Sequence, residues 1–302
     1  MTAPVLLRHL LFVLNPISGD IDKSALEATI ADFCTGHGRQ ARFFHTSGAQ
    51  DAAKLRTALA HHSYDAVFAC GGDGTVNLVA QVLSGTELIL GILPLGSGNG
   101  MAKDLGIPQA LDEALELIWR HSVSRVDTLR IDGHFSVHLA DLGFNALVVE
   151  RFCSSATRGP STYVRIATQE YLDYEPATYR IQTDRELFEG PAFMVTMANG
   201  RTFGSNVVIN PGSRLDDGEF EICIIAPFAG TAALGILYQL YTEDFDASAY
   251  TQRLRCWWAE IEVVGQQQVL GQVDGEPLQL TTPIRTEIIP RSLRILTPPV
   301  AE

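Results

Sequence analysis

The chain has 302 residues, 46% of them hydrophobic and 19% charged, with a net charge of −13 at pH 7. That composition excludes a disordered chain. So acidic a surface repels nucleic acid and anionic headgroups, so no nucleic-acid partner is expected and any membrane contact is local and transient. The length suits two domains. The cysteines (Cys34, Cys70, Cys153, Cys223, Cys256) are scattered, without a C-x-x-C pair, and indicate neither a disulfide framework nor a zinc site. The start lacks the basic segment and cleavage site of a signal peptide, and no apolar run reaches membrane-spanning length. The expected location is the cytoplasm, peripheral to a membrane at most.

From the N-terminus, strand-like and helix-like segments alternate. Residues 10–14 read as an apolar strand that ends in the turn Asn15-Pro16-Ile17-Ser18-Gly19. Residues 24–34 carry helical spacing through Leu26, Ile30 and Phe33. A strand at 41–45, a helix at 51–61, a buried strand at 65–69, a helix at 76–83 and a strand at 88–93 follow. The segment 112–120 reads as a helix with an acidic start and a basic end, as the helix dipole prefers. Such alternation implies a parallel sheet covered on both faces. Ligands of open parallel sheets bind outside the carboxyl ends of the strands. The glycine-bearing turns after Leu14, Ala69 and Leu93 all leave such ends, so they converge on one sheet edge.

From Arg125 onward β-rich segments dominate, at 126–131, 136–149, 179–183, 192–198, 207–209, 219–225, 255–264 and 269–273. Helices interrupt at 162–172 and 231–241. The expectation is an α/β domain over 1–124 and an antiparallel β-sandwich domain over 125–289. The last strand, 292–296, is free to return to either, so 290–302 would complete the first domain. Trp257 and Trp258 would point to opposite faces of a strand, one into the core and the other toward a cleft.

Gly71-Gly72-Asp73-Gly74-Thr75-Val76-Asn77 follows a strand and opens a helix. Glycines let the backbone approach a phosphate, and the helix N-terminus offers free N–H groups. A carboxylate facing phosphate is costly unless a metal gives it a task, and Mg²⁺ bound through Asp73 and substrate phosphates does so. Pro94-Leu95-Gly96-Ser97-Gly98-Asn99-Gly100 closes the next strand and bares further backbone donors. Neither loop is a Walker A motif or a Rossmann fingerprint, which argues against P-loop hydrolysis and hydride transfer.

These stretches resemble the diacylglycerol kinase catalytic-domain family, the lipid kinases that include the sphingosine kinases. Asn15 to Gly19 resembles the family's opening Asn-Pro-x-Ser-Gly, and Gly71 to Asn77 its central motif. Leu93 to Asn99 is similar to its Pro-x-Gly-Thr/Ser-x-Asn loop. Asn199-Gly200 through Pro211 and Asp216-Asp217-Gly218, then Asp274-Gly275-Glu276, resemble its later motifs in order. The central motif alone is shared with NAD kinases and is similar to one in phosphofructokinases.

The resemblance implies that Asn15, Pro16, Ser18, Gly19, Thr46, Gly71, Gly72, Asp73, Gly74, Thr75, Asn77, Gly96, Ser97 and Asn99 hold ATP. It places Asp73 and Asp127 in the magnesium and phosphate network, and Glu276 or Asp274 as the general base toward a lipid hydroxyl. It also implies a structural Mg²⁺ in the β domain, held by the backbone of Arg214, the carboxylate of Asp217 and the backbone of Glu219. Leu78, Gly100, Asn145 and Ser205 depart from the family pattern. The expected activity is ATP-dependent phosphorylation of a lipid alcohol, diacylglycerol or sphingoid-like, in the cleft between the domains. A kinase of NAD or another soluble metabolite, and a regulatory nucleotide- or lipid-binding protein with weakened catalysis, are the alternatives. A homodimer is left open.

Overall fold

The computed structural model describes residues 6–16, 23–155, 157, 159–203 and 207–299. The chain forms two units, residues 1–126 with 291–302 and residues 127–290.

The first unit alternates β1 (His9–Leu14), α1 (Lys23–Gly36), β2 (Gln40–His45), α2 (Asp51–His61), β3 (Ala66–Gly71), α3 (Asp73–Leu83) and β4 (Ile89–Pro94). The short helices α4 (Gly100–Asp104) and α5 (Leu111–Glu116) follow, then β5 (Ser122–Ile131), which leads into the second unit. β1 pairs in parallel with β2 and β3, β3 with β4, and β4 with Arg294 and Ile295 of the last strand. Every residue of β3 and β4 is buried, as central strands covered on both faces require. Leu10, Phe12 and Phe68 pack with Leu26 and Ile30 of α1 and Leu115 of α5, and Phe12 stacks on Phe68 at 5.0 Å between ring centroids. Each such side chain contributes roughly 1.5–3 kcal/mol by burial. The chain steps from β1 outward to β2, then back past β1 to β3. The strand order therefore reverses between β1 and β3, the place where open α/β sheets bind ligands.

The second unit contains β6 (His134–Ser136), β7 (Leu139–Gly143), α6 (Phe144–Ser154), α7 (Pro160–Tyr171), β8 (Ala177–Thr183), β9 (Leu187–Ala192) and β10 (Met194–Ala198). It continues with β11 (Phe220–Ile225), α8 (Gly230–Tyr241), β12 (Thr251–Cys256), β13 (Trp258–Val263), β14 (Gln268–Val273), β15 (Glu276–Thr281) and β16 (Ile284–Thr297). One antiparallel sheet runs β12-β11-β10-β7-β14-β15. Facing it, β9, β8, β13 and the first part of β16 pair antiparallel. Leu142, Val195 and Ile222 from the first meet Ile181, Ile261 and Ile284 from the second in one core, which makes a β-sandwich. β16 serves both units, because its residues from Arg291 onward belong to the first.

The β-rich reading of 136–149 stops at Gly143. There φ is +85°, which glycine alone adopts easily, and a Cβ would lie 2.8 Å from the Phe193 carbonyl oxygen, so the chain turns into α6. β9 and β15, which the sequence reading does not include, contain Pro191 and Pro277; both strands are edges, where proline is tolerated. Residues 207–209 form only an isolated bridge, Thr202 to Val208. Trp257 is 52% exposed and Trp258 half-buried, so neither tryptophan is a core residue.

Candidate active site

In the first unit, Gly72 is the N-cap residue of α3, and Thr75 and Val76 N–H both donate to its carbonyl. Leu95 N–H donates to Gly71 O at 3.0 Å, which ties the second glycine loop to the first. A Cβ on Gly71 would lie 2.3 Å from Thr75 Oγ1, and one on Gly96 would lie 2.4 Å from Gly72 Cα. These glycines serve close approach; the left-handed residue of the second loop is Asn99, at φ +52°. Its amide closes that loop. Oδ1 accepts Gly96 N–H at 3.0 Å, while Nδ2 donates to Gly96 O at 2.9 Å and Gln109 Oε1 at 3.2 Å. Gly96→Ala is therefore expected to force the two loops apart, lowering stability by about 1–3 kcal/mol and weakening nucleotide binding at least tenfold. Thermal melts and ATP titrations of the variant check both.

Asp73 stands half-buried at the first position of α3, favoured by the dipole there. Its Oδ1 accepts Met101 N–H at 3.3 Å, and its Oδ2 is 3.0 Å from where a Gly98 Cβ would sit. The carboxylate thus spans both glycine loops. Among the described residues no lysine or arginine pairs with it. A nucleotide-bound Mg²⁺ asks for one or two carboxylates plus phosphate oxygens, and Asp73 fits that need. Thr46 N–H donates to Leu14 O at 2.9 Å, so Thr46 sits beside the half-buried Asn15 and exposed Pro16. Ser97 is exposed, Gly74 is exposed, and Asn77 is half-buried in α3. Ser18 and Gly19, and the departure at Ser205, lie outside the described residues.

The remaining expected acids belong to the second unit. Asp127 is fully buried; its Oδ2 accepts Gly218 N–H at 2.7 Å and its N–H donates to Leu215 O at 2.6 Å. It anchors the Asp216-Asp217-Gly218 turn to β5. Asp217 Oδ2 accepts from Arg255 at 2.6 Å and Oδ1 accepts Glu219 N–H at 3.2 Å. The Glu219 carboxylate is bridged by Arg185 and Arg255, and Arg214 pairs with Asp216 at 3.2 Å. The side chains of this turn are thus ion-paired within the protein.

Asp274 and Glu276 share one turn and have opposite surroundings. Asp274 is 9% exposed at φ +46°. Its carboxylate accepts Ser136 O–H at 2.8 Å and the N–H groups of Val137 at 2.8 Å, His138 at 3.2 Å and Leu139 at 2.9 Å. Four donors hold that carboxylate inside the fold. Glu276 is exposed at the start of β15, and among the described residues no hydrogen bond or ion pair engages its carboxylate. A group that takes a proton from a hydroxyl needs free lone pairs, and the Glu276 carboxylate is the less occupied of the two. Asn145, one of the departures, donates to the buried Asp141 at 2.5 Å; an acid at that position would face another acid. Asp141 and Gln272, which reach this turn from behind, carry no sequence motif of their own.

The first unit is a doubly wound sheet with a glycine-lined, acid-bearing edge suited to phosphate binding, and the second is an antiparallel sandwich. A family model described as diacylglycerol kinase catalytic domain matches residues 9–131, and one described as YegS C-terminal NAD kinase beta sandwich-like domain matches residues 139–297. The chain belongs to this diacylglycerol kinase-like, YegS-type family of lipid kinases. It is 28% identical over 242 residues to the "Probable lipid kinase YegS" of Salmonella arizonae, covering 78% of this chain and 79% of that one. It is 28% identical over 262 residues to the "Probable lipid kinase YegS-like" of Stenotrophomonas maltophilia, covering 82% and 84%. The crystal structure of a diacylglycerol kinase from Bacillus anthracis shares the fold, with a TM-score of 0.76, 22% identity and 97% of each chain covered.

Proposed function

We propose that this kinase transfers the γ-phosphoryl group of ATP to a hydroxyl of a diacylglycerol or sphingoid-like lipid. The observation that carries the reading is the pair of glycine loops locked backbone to backbone around Asp73. The loops and the start of α3 would hold the phosphates through backbone N–H groups, and Asp73 would hold Mg²⁺. The metal, when bound, neutralises charge on the transferring group. Asn15 and Thr46 would line the nucleotide on the other side of the strand-order reversal. Glu276 would take the hydroxyl proton, with Asp274 fixing the turn that carries it. Catalysis of this kind relies on positioning and electrostatics more than on covalent chemistry. The reaction then needs a nucleotide site on the first unit and a base, Glu276, on the second.

One feature of the second unit supports a lipid acceptor. On α8, Leu234, Tyr238 and Tyr241 stand exposed at helical spacing, a surface suited to transient contact with a bilayer. Among the described residues no helix is long and apolar enough to cross a membrane. The test is transfer from radiolabelled ATP to diacylglycerols, sphingoid bases and other lipid alcohols, with NAD as a soluble acceptor in parallel. Label in a lipid product is the expected result. Label in NAD alone would mean a soluble-metabolite kinase, and tight ATP binding with no transfer would mean a regulatory protein.

A further inference from the structure

Behind the Asp274-Gly275-Glu276 turn lies a buried polar chain with no role in the reading above. Gln272, 2% exposed in β14, accepts Gly275 N–H on Oε1 at 2.7 Å. Its Nε2 donates to Asp141 Oδ2. Asp141, fully buried in β7, accepts on the same oxygen from Asn145 Nδ2 at 2.5 Å and on Oδ1 from Thr196 Oγ1 at 2.5 Å. Asn145 Oδ1 in turn accepts the O–H of Tyr163 on α7.

The orientation of Gln272 follows from chemistry. A backbone N–H only donates, so Gly275 must meet the amide oxygen, and the NH₂ end must meet Asp141. Turned the other way, the amide would set N–H against N–H and oxygen against carboxylate. An ionised carboxylate accepts at every lone pair, so Asp141 holds the amide the right way round. A methyl or a donor at its place would not.

We propose that Asp141 and Gln272 are positioning residues for phosphoryl transfer: the Asp141 carboxylate orients the Gln272 amide, and the amide anchors the turn that presents Glu276. The proposal rests on Glu276 being the base. Burial pushes the Asp141 carboxyl up to about 6, against the pull of its three donors and of nearby His138. Tyr163 and Cys223 are the other titratable groups facing it, and burial raises both. Asp141 is therefore ionised at neutral pH. As pH falls through about 6, the carboxyl gains a proton and its negative charge, which holds the Gln272 NH₂ end, is lost; the Gly275 anchor is then expected to loosen.

The test uses the whole chain. Glycine-selective ¹⁵N labelling follows the Gly275 amide from pH 5 to 8, and steady-state kinetics on the lipid acceptor run alongside. The Gly275 shift is expected to titrate near pH 6 in the wild type and to lose that inflection in Asp141→Asn. Gln272→Leu is expected to lower kcat about 10- to 100-fold with an unchanged KM for ATP and a cooperative melt. Gln272→Glu can accept Gly275 N–H while meeting Asp141 only through a shared proton, so its kcat should rise toward pH 5, opposite to the wild type. A Gly275 amide indifferent to pH near 6 overturns the proposal. So does a wild-type kcat in Gln272→Leu, or the same loss in Gln272→Leu and Gln272→Glu at every pH. If the wild type phosphorylates no lipid, the functional reading fails, and the Gly275 titration then decides the coupling alone.

Discussion

Asp73→Ala is expected to lower phosphoryl transfer about 10³-fold or more and the melting temperature by only a few degrees. The carboxylate makes one long hydrogen bond, 3.3 Å to Met101 N–H, and a favourable first-turn interaction with α3. Together these are worth about 1–2 kcal/mol of a domain's 5–15 kcal/mol, so the variant stays folded. No cation of the protein neutralises Asp73 among the described residues, so its charge is available to a metal-bound nucleotide. Asp73→Asn keeps the shape and removes the charge, and should lose nearly as much activity. Initial rates, ATP titration with and without Mg²⁺, and a thermal melt read all three properties. Turnover within tenfold of the wild type in either variant would remove Asp73 from the mechanism.

Glu276→Gln should lower kcat by about 10²- to 10⁴-fold, the range for loss of a general base, with the KM for ATP and the stability intact. Asp274→Asn should behave differently. Its carboxylate receives four donors inside the fold, and an amide would turn an NH₂ group toward some of them. The expected loss is about 3–5 kcal/mol of stability, visible as a lower denaturant midpoint, because buried donors are left unpaired. Any loss of activity in Asp274→Asn should track the unfolded fraction. The assignment of the base would be reversed if Glu276→Gln kept its kcat while Asp274→Asn lost activity without losing stability.

The two acids of the Asp274-Gly275-Glu276 string are indistinguishable in sequence. Both flank a glycine at a hairpin turn, and nothing local says which one the fold will surround. The four donors to Asp274 come from residues 136–139, more than 130 positions earlier. The same holds for Asp217, whose Arg255 partner lies 38 residues on. The arginines that pair with that turn, Arg185 and Arg255, are both distant from it in sequence. Asn99 was expected at the nucleotide; its left-handed backbone and the closure of its amide on Gly96 appear only when the loop is built.

The alternation of elements in the first unit, the turns at the carboxyl ends of β1, β3 and β4, and the change to β structure near residue 125 are properties of short stretches. Apolar period, glycine and proline placement carry them, and the sequence by itself determined them. The kinase family follows from the order of its motifs. Tertiary structure alone decided that Gly96 rests on Gly72, that Asp274 is enclosed while Glu276 is free, and that Asp141 reaches Gly275 through Gln272. Each of these depends on which distant groups share a buried space. The hydrogen bonds of a buried acid are set by packing and not by its neighbours along the chain.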